Sequence, residues 1–441
     1  MSDAIRPSWL LSEDEVFNWL KLEPRTYDWQ VLLALDRTRT NQLLMQEYIA
    51  RYSTGSYFEP ITNSVHTGDG GTRIWEYLYD HVLGPPRLSF ENSNANEWAR
   101  LTIPISGGIQ MKVEQAGMSP KQVTSISWYD PLQAPRLICE IRLEDTAGSV
   151  DYSNKVKLDL RFGANFRVTF ASTFHEQNEG GEFYRTLFER LPEEQQYFLL
   201  GTLDDFTGSA ALQPDKFRLR ALSAQPARTE QEEGESEGAI LLFIGTKGNE
   251  PGGLPDPNAR WVYPIPEGRS STVLLGNELV YKGLLANGVI MSNMWNNYCD
   301  YVDDGPEGSI TGMRFTRGEL SLVNRDIDLG LPEKASFVGT VPFSSPDAME
   351  LKLDHVGEEF LLSWSAQKPG HEGANATLSF YTASDQWLSM NAKLSMQSRY
   401  RFTIDSDSGA VRLVLAEPEQ LNIDMTELSS IIYEPYESAA R

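Results

Sequence analysis

The sequence predicts an α+β protein in which curved antiparallel β-sheets wrap long apolar helices, laid out as two halves on one plan. Three observations carry this prediction. Twice an extended aromatic stretch passes directly into a strongly apolar segment, over residues 29–44 and again over residues 261–290. After each, short segments alternate apolar and polar residues with the period of half-buried strands. Between the two lies "KGNEPGGLPDPNAR", whose glycines and prolines punctuate the chain. The expected organisation is a first half over residues 1–247, a linker over 248–259 and a second half over 260–441.

The first element is a short helix in "SEDEVFNWL". Ser12 caps it, Glu15 completes a capping box, and Leu11 with Val16 occupies hydrophobic-staple positions. Pro24 lies just beyond and limits its length. An apolar strand over 29–35 then breaks at the polar tetrad Asp36 to Arg39. The next helix places Leu44, Tyr48 and Tyr52 on one stripe, with Met45 and Ile49 beside it.

Strands dominate from there. "ARLTIPISGGIQMKV" reads as a hairpin turned at Gly107-Gly108. "RLICEIRL", "KVKLDLRF" and "FRVTFAST" alternate as strands. "GEFYRTLFERLPEEQQYFLLGTL" reads as a helical interruption that Pro192 breaks in two. The low-complexity "SAQPARTEQEEGESEG", centred on residues 225–238, holds too much charge and too little apolar bulk to order itself. It reads as a mobile acidic loop between two strands.

The second half repeats the opening. Leu275, Leu279, Leu284 and Ile290 are spread too widely for one narrow stripe, which predicts a helix buried on most sides. Strands then run to the end, including a hairpin around Asp407-Ser408-Gly409 and a closing helix or strand in "TELSSIIYEPY".

Composition narrows the function. With 441 residues and 40% apolar side chains, the chain can bury substantial cores. Its 38 basic and 62 acidic residues leave a net charge of −24, which on average repels nucleic-acid phosphates. Cys139 and Cys299 stand far apart and form no disulfide framework. No stretch is apolar and long enough for a transmembrane helix, and the opening residues lack the pattern of a Sec signal. A cytoplasmic protein is expected, or one exported without such a signal.

No catalytic constellation emerges, and neither a cofactor nor a metal is expected. The five histidines show no metal-ligand spacing. There is no GxSxG elbow, and "GDGGTR" lacks the lysine of a phosphate-binding loop, so it reads as a turn. Asp300, Asp303, Asp304 and Glu307 crowd around Gly305, but the DxDxDG spacing of a calcium loop is not met and a solvated acidic turn is favoured. Asn375-Ala376-Thr377 is a formal sequon read as chance. Trp128, Trp261, Trp364 and Trp387 could stack on sugars, though core packing is the default for aromatics in a β-rich chain.

Two segments carry a family resemblance. "TYDWQVLLALDRTRTNQLL" and "YPIPEGRSSTVLLGNELVYKGLL" resemble fold signatures of the forty-seven-kilodalton companion proteins encoded beside OrfX proteins in botulinum-type neurotoxin clusters. The entry Tyr27-Asp28-Trp29-Gln30 departs from that family's usual Tyr-Gly-Trp-Asp at its second and fourth positions. The resemblance implies the TULIP (tubular lipid-binding) architecture. It further implies a non-enzymatic protein that binds lipid or fatty acyl chains, with products of neighbouring toxin or OrfX-like genes as candidate partners. The first places for a groove wall are the helix faces holding Leu44, Tyr48, Leu279 and Leu284. A protein-binding accessory factor without a lipid ligand is the alternative reading, and a carbohydrate-binding β module the third.

Overall fold

The computed structural model describes residues 7–54, 58–68, 71–91, 98–132, 134–143, 148–149, 155–203, 213–224, 236–256, 261–285, 294–303, 310, 312–327, 335–356, 359–365, 367–368, 371–372, 374–382, 387–404, 411–416 and 420–428. Most strands pair antiparallel, a few helices accompany them, and the chain divides into two compact units, Met1–Gly276 and Asn277–Arg441.

The first unit opens with α1 (Glu13–Leu20), β1 (Val31–Asp36) and α2 (Arg37–Thr54). Next come β2 (Ile61–His66), β3 (Thr72–Leu83), β4 (Arg87–Ser89), β5 (Trp98–Ala116), β6 (Gln122–Trp128), β7 (Arg136–Arg142), β8 (Gly148–Ser149), β9 (Lys155–Asp159) and β10 (Gly163–Val168). The helix α3 (Phe174–Arg190) and the strands β11 (Tyr197–Thr202), β12 (Pro214–Ser223), β13 (Gly238–Thr246) and β14 (Ser271–Leu275) complete it. The capping box of α1 forms as the sequence predicts, with Ser12 N donating to Glu15 Oε2 at 2.7 Å and Glu15 N to Ser12 Oγ at 3.3 Å.

One sheet has the order β14-β1-β13-β12-β8, and its central strand β13 is buried on both faces. Along β13 the side chains alternate between two cores: Ile240, Leu242 and Ile244 face one, Ala239, Leu241 and Phe243 the other. A central strand covered on both sides has no polar face, which is why "GAILLFIGT" reads as an unbroken apolar run. The larger core fills the space towards the second sheet, β10-β7-β5-β3-β2, with Leu101, Ile103, Leu137, Cys139 and Ile141. Behind β13 the smaller core is closed by Trp29, Tyr263 and Ile265.

That closing segment moves the boundary between the units. Trp261 stacks on Tyr27 at 5.5 Å and donates to its hydroxyl at 3.1 Å, while β14 pairs with β1 from Val31↔Leu275 to Leu35↔Ser271. Residues 261–275 therefore belong to the first unit, and the division falls after Gly276 rather than within 248–259.

Three further local expectations change. Gly107-Gly108 is not a hairpin turn: β5 runs unbroken through it for 19 residues. Gly108 has φ +108°, and a Cβ there would lie 2.6 Å from the carbonyl oxygens of Tyr79 and Asp80. Asp80 itself has φ +51°, and the β3–β5 register shifts between Tyr79 and Val82. Both strands thus leave regular pairing at one level, a bulge that only a glycine opposite can accommodate. The helix before Pro192 starts earlier, at Phe174, capped by Thr173, and Pro192 leads into a 3-10 turn and the strand β11 instead of a second helical piece. Most of the acidic loop at 225–238 lies outside the described residues.

The second unit, by itself, begins with a helical turn whose π portion is Leu279–Leu285. Leu275 ends β14, and Ile290 lies outside the described residues. Its strands are β15 (Met294–Val302), β16 (Gly312–Ile327), β17 (Ala335–Val356), β18 (Glu359–Ser365), β19 (Gln367–Lys368), β20 (His371–Glu372), β21 (Ala374–Thr382), β22 (Trp387–Ile404), β23 (Val411–Leu415) and β24 (Gln420–Leu428). All but β19 and β20 join one antiparallel sheet. The segments "SFVGTVPF" and "MELKLDHV" both lie within the single long strand β17. The pair β22–β23 forms as expected, with the turn at 405–410 outside the described residues.

Candidate functional site

The four residues expected to line a groove are divided between the units. Leu44, on α2, is fully enclosed in the larger core of the first unit. Tyr48 is half-buried against that core, its ring stacked on Tyr52 at 6.2 Å. Leu279 is buried and Leu284 half-buried in the helical turn of the second unit.

The helix α2 differs from the oily rod that the sequence suggests, because its apolar residues serve two opposite faces. Asp36 begins it, its Oδ1 accepting from Arg39 N at 2.6 Å. Burial raises the Asp36 pKa, the bond from Arg39 opposes this, and the charge of Glu237 adds to the rise. Arg37 answers with an ion pair to Glu237. Asn41 ties the helix to β4 twice, donating to Leu88 O at 3.0 Å and accepting from Leu88 N at 2.7 Å. On the inner side Thr40 and Leu44 are buried, and Arg51 lies over the rings of Tyr197 and Phe198 while bonded to Glu47 at 2.7 Å.

The outer side carries Arg39, Gln42, Met45, Ile49 and Tyr52, spaced three or four residues apart as one helical stripe requires. Met45 is 42%, Ile49 58% and Tyr52 67% exposed. At 1.5 Å per residue the stretch from Gln42 to Tyr52 spans about 15 Å. A cationic head and an apolar tail thus lie in line on the surface. The charge is local: α2 holds Arg37, Arg39 and Arg51 against Glu47 alone, in a chain of net −24.

A second arrangement, which the sequence does not disclose, lies between α3 and the sheet. The helix approaches β10 at Gly180-Gly181, where added Cβ atoms would stand 2.4 Å from Val168 Cγ2 and 2.0 Å from Phe166 O. Facing α3, the inward positions of β3 and β5 are partly polar. Gln110 Nε2 donates to Glu76 Oε2 at 2.7 Å, Tyr129 donates to Gln110 Oε1, and Lys112 bonds Glu176 at 3.1 Å. Burial raises the Glu76 carboxyl pKa, with the Gln110 bond and Lys112 opposing. Burial pulls Lys112 down, but its bond to Glu176 and the charges of Glu176, Glu76 and Glu114 more than offset this. At the bulge, His81 turns inward to within 3.3 Å of the Tyr184 hydroxyl. Burial lowers its pKa to about 4, against a smaller upward pull from the Ile109 carbonyl. With Glu76, His81, Gln110, Glu176 and Tyr184 buried and Lys112 and Tyr129 partly so, the cluster ties α3 to the sheet. Its sequence signals were the polar residues Glu76, Gln110 and Lys112 at inward strand positions, and the cap Thr173 with Glu176.

Asp300 and Asp303 are described, Asp304 and Glu307 are not, and among the described residues no group of His, Cys, Asp and Glu could hold a metal ion. No described helix is long and apolar enough to cross a membrane.

No protein-family model and no curated protein matches this chain. Solved structures do. The chain is similar to P47 of Clostridium botulinum E1, at 12% identity over 94% of this chain and 85% of that one, with a TM-score of 0.49. It is also similar to P47 from Clostridium botulinum A2, at 9% identity over 91% and 82%, TM-score 0.44. A lipopolysaccharide binding protein matches at 7% identity over 94% and 88%, TM-score 0.29.

Proposed function

We propose that this is a non-enzymatic lipid-binding protein of TULIP type, and that α2 contacts the lipid with its outer side. The acyl chain lies along Met45, Ile49 and Tyr52, and an anionic headgroup meets Arg39 at the start of the helix, where the helix dipole also favours negative charge. The observation that carries the reading is the exposure of three large apolar side chains in line with one exposed arginine. Covering each returns on the order of 1 kcal/mol, since burial contributes about 25 cal/mol per Å². The architecture implied by the sequence resemblance agrees with this reading.

Native mass spectrometry of the full chain incubated with oleate or phosphatidylglycerol tests it. Mass additions are expected for the natural sequence, with Ile49→Glu abolishing them and Arg39→Gln weakening them. Absence of any adduct, or adducts unchanged in Ile49→Glu, would sink the reading.

A further inference from the structure

The outer face of the β2–β3–β5–β6 region reverses the usual order of a sheet that packs on a helix. Towards α3 the rows are Glu76–Lys112–Ser125 and Leu78–Gln110–Ser127; towards solvent they are Tyr77–Met111–Ile126 and Tyr79–Ile109–Trp128. Residues opposite one another in a ladder share a face, so these outward rows are apolar throughout. The last strand of each row, β6, is the most exposed. Ile126 is 61% and Trp128 79% accessible, and Val123 is exposed as well. A register shift between Lys112 and Val113 makes Thr124 the extra residue, which puts Val123 on the same outward side as Ile126 and Trp128.

Among the described residues β6 pairs only with β5, so its other edge offers free backbone donors and acceptors. Such an edge is ordinarily guarded by lysine, proline or another charge. The heptapeptide "QVTSISW" has none. The neighbouring Lys121 does not serve, because its Nζ sits 3.8 Å from the centre of the Trp75 ring, on the body of the sheet.

From this unguarded edge we infer that β6 is a self-association strand: two copies of the chain pair antiparallel through β6 into one continuous sheet. A two-fold axis normal to the sheet keeps both outer faces on one side, so Val123, Ile126 and Trp128 of each copy shield those of the other. An uncharged strand fits its own copy without local repulsion, whereas the net charge of −24 opposes approach only over longer range. That longer-range repulsion is screened by salt, with a Debye length of about 8 Å at physiological ionic strength. Association through β6 therefore strengthens as salt rises, the opposite of a contact made by complementary charge.

Sedimentation velocity of the full chain over a range of concentrations, at low and high salt, tests the pairing. The natural protein is expected to dimerise more tightly at high salt, with slowed amide exchange at residues 122–128 in the dimer. Ile126→Lys, a change at an exposed side chain, is expected to weaken the dimer by about tenfold or more. Phe17→Lys on α1 is expected to leave it unchanged, and a synthetic peptide of residues 121–130 to compete with it. A monomer at every concentration and salt would overturn the inference, as would a dimer that Ile126→Lys leaves intact. So would a monomer whose Trp128 emission shifts on phosphatidylcholine vesicles, since the apolar face would then serve a membrane.

Discussion

His81 Nδ1 lies 3.3 Å from the hydroxyl of Tyr184, joining the bulge of β3 to the buried side of α3. The contact places an ionisable ring where water does not reach, and its consequence is a pH dependence of stability. Burial lowers the pKa of His81 from 6.5 to about 4. Between these values the unfolded chain holds a proton that the folded chain does not, so stability falls as pH drops through that window. The slope from this group is at most about 1.4 kcal/mol per pH unit. Glu76 acts in the opposite sense, because its raised pKa lets the folded chain take up its proton first. Chemical denaturation at a series of pH values should show a smaller loss between pH 6.5 and 4 for His81→Gln than for the natural sequence. An unchanged slope would remove His81 from the account.

Removing the buried charge of Glu76 has a predictable sign as well. Among the described residues its Oε1 has no hydrogen-bond partner, although the side chain is fully enclosed. Glu76→Gln should stabilise the protein at neutral pH by about 1 kcal/mol, with less gain at acid pH, where the carboxyl is already protonated. Denaturation midpoints at the two pH values check this.

The approach of α3 to β10 depends on Gly181. A methyl group there would overlap the Phe166 carbonyl, so Gly181→Ala should destabilise by about 2–4 kcal/mol despite the better helix propensity of alanine. Gly253, with nothing within 4 Å of a built Cβ, is the control, and Gly253→Ala should shift the melting temperature little.

Asn41 gives α2 its seat. Asn41→Leu leaves both backbone groups of Leu88 without their partner, and should lower stability by about 1–3 kcal/mol. Amide exchange at Leu88 should rise with it, a local effect that a general loss of helix propensity would not produce.

Cys139 is fully buried, and burial holds its thiol well above the usual range. In a Cys299→Ser background, a thiol reagent should label the native protein far more slowly than the denatured one. Equal labelling rates would contradict the packing of β7.

How much of this could be read from the residues is best seen element by element. The capping box at Ser12 and Glu15 and the alternation of β7 were legible, because both depend on neighbours in sequence. The pair Gly107-Gly108 was not. Glycine permits a turn and a bulge alike, and the choice was made by β3, a strand distant in sequence whose Asp80 has the matching positive φ. The helix α2 shows a second limit. Periodicity located an apolar stripe, but Leu44 and Met45 are adjacent in sequence, and one is buried while the other is exposed. Only the position of β4 and β11 decides which of them is covered. The unit boundary was misplaced for a similar reason: glycines and prolines mark where a chain bends, whereas the partner of β1 decides where a unit ends.

That partner, β14, has a consequence for biosynthesis. Val31 leaves the ribosome early, yet the residue that seals its edge, Leu275, is made much later. Until then β1 presents an open side, and Trp29 lacks the lid that Tyr263 and Ile265 supply. Contacts between such distant segments slow folding and prolong exposure of sticky surface. A polypeptide released after residue 247 should therefore collect in inclusion bodies, whereas one released after 276, with the belated strand in place, should stay in the supernatant.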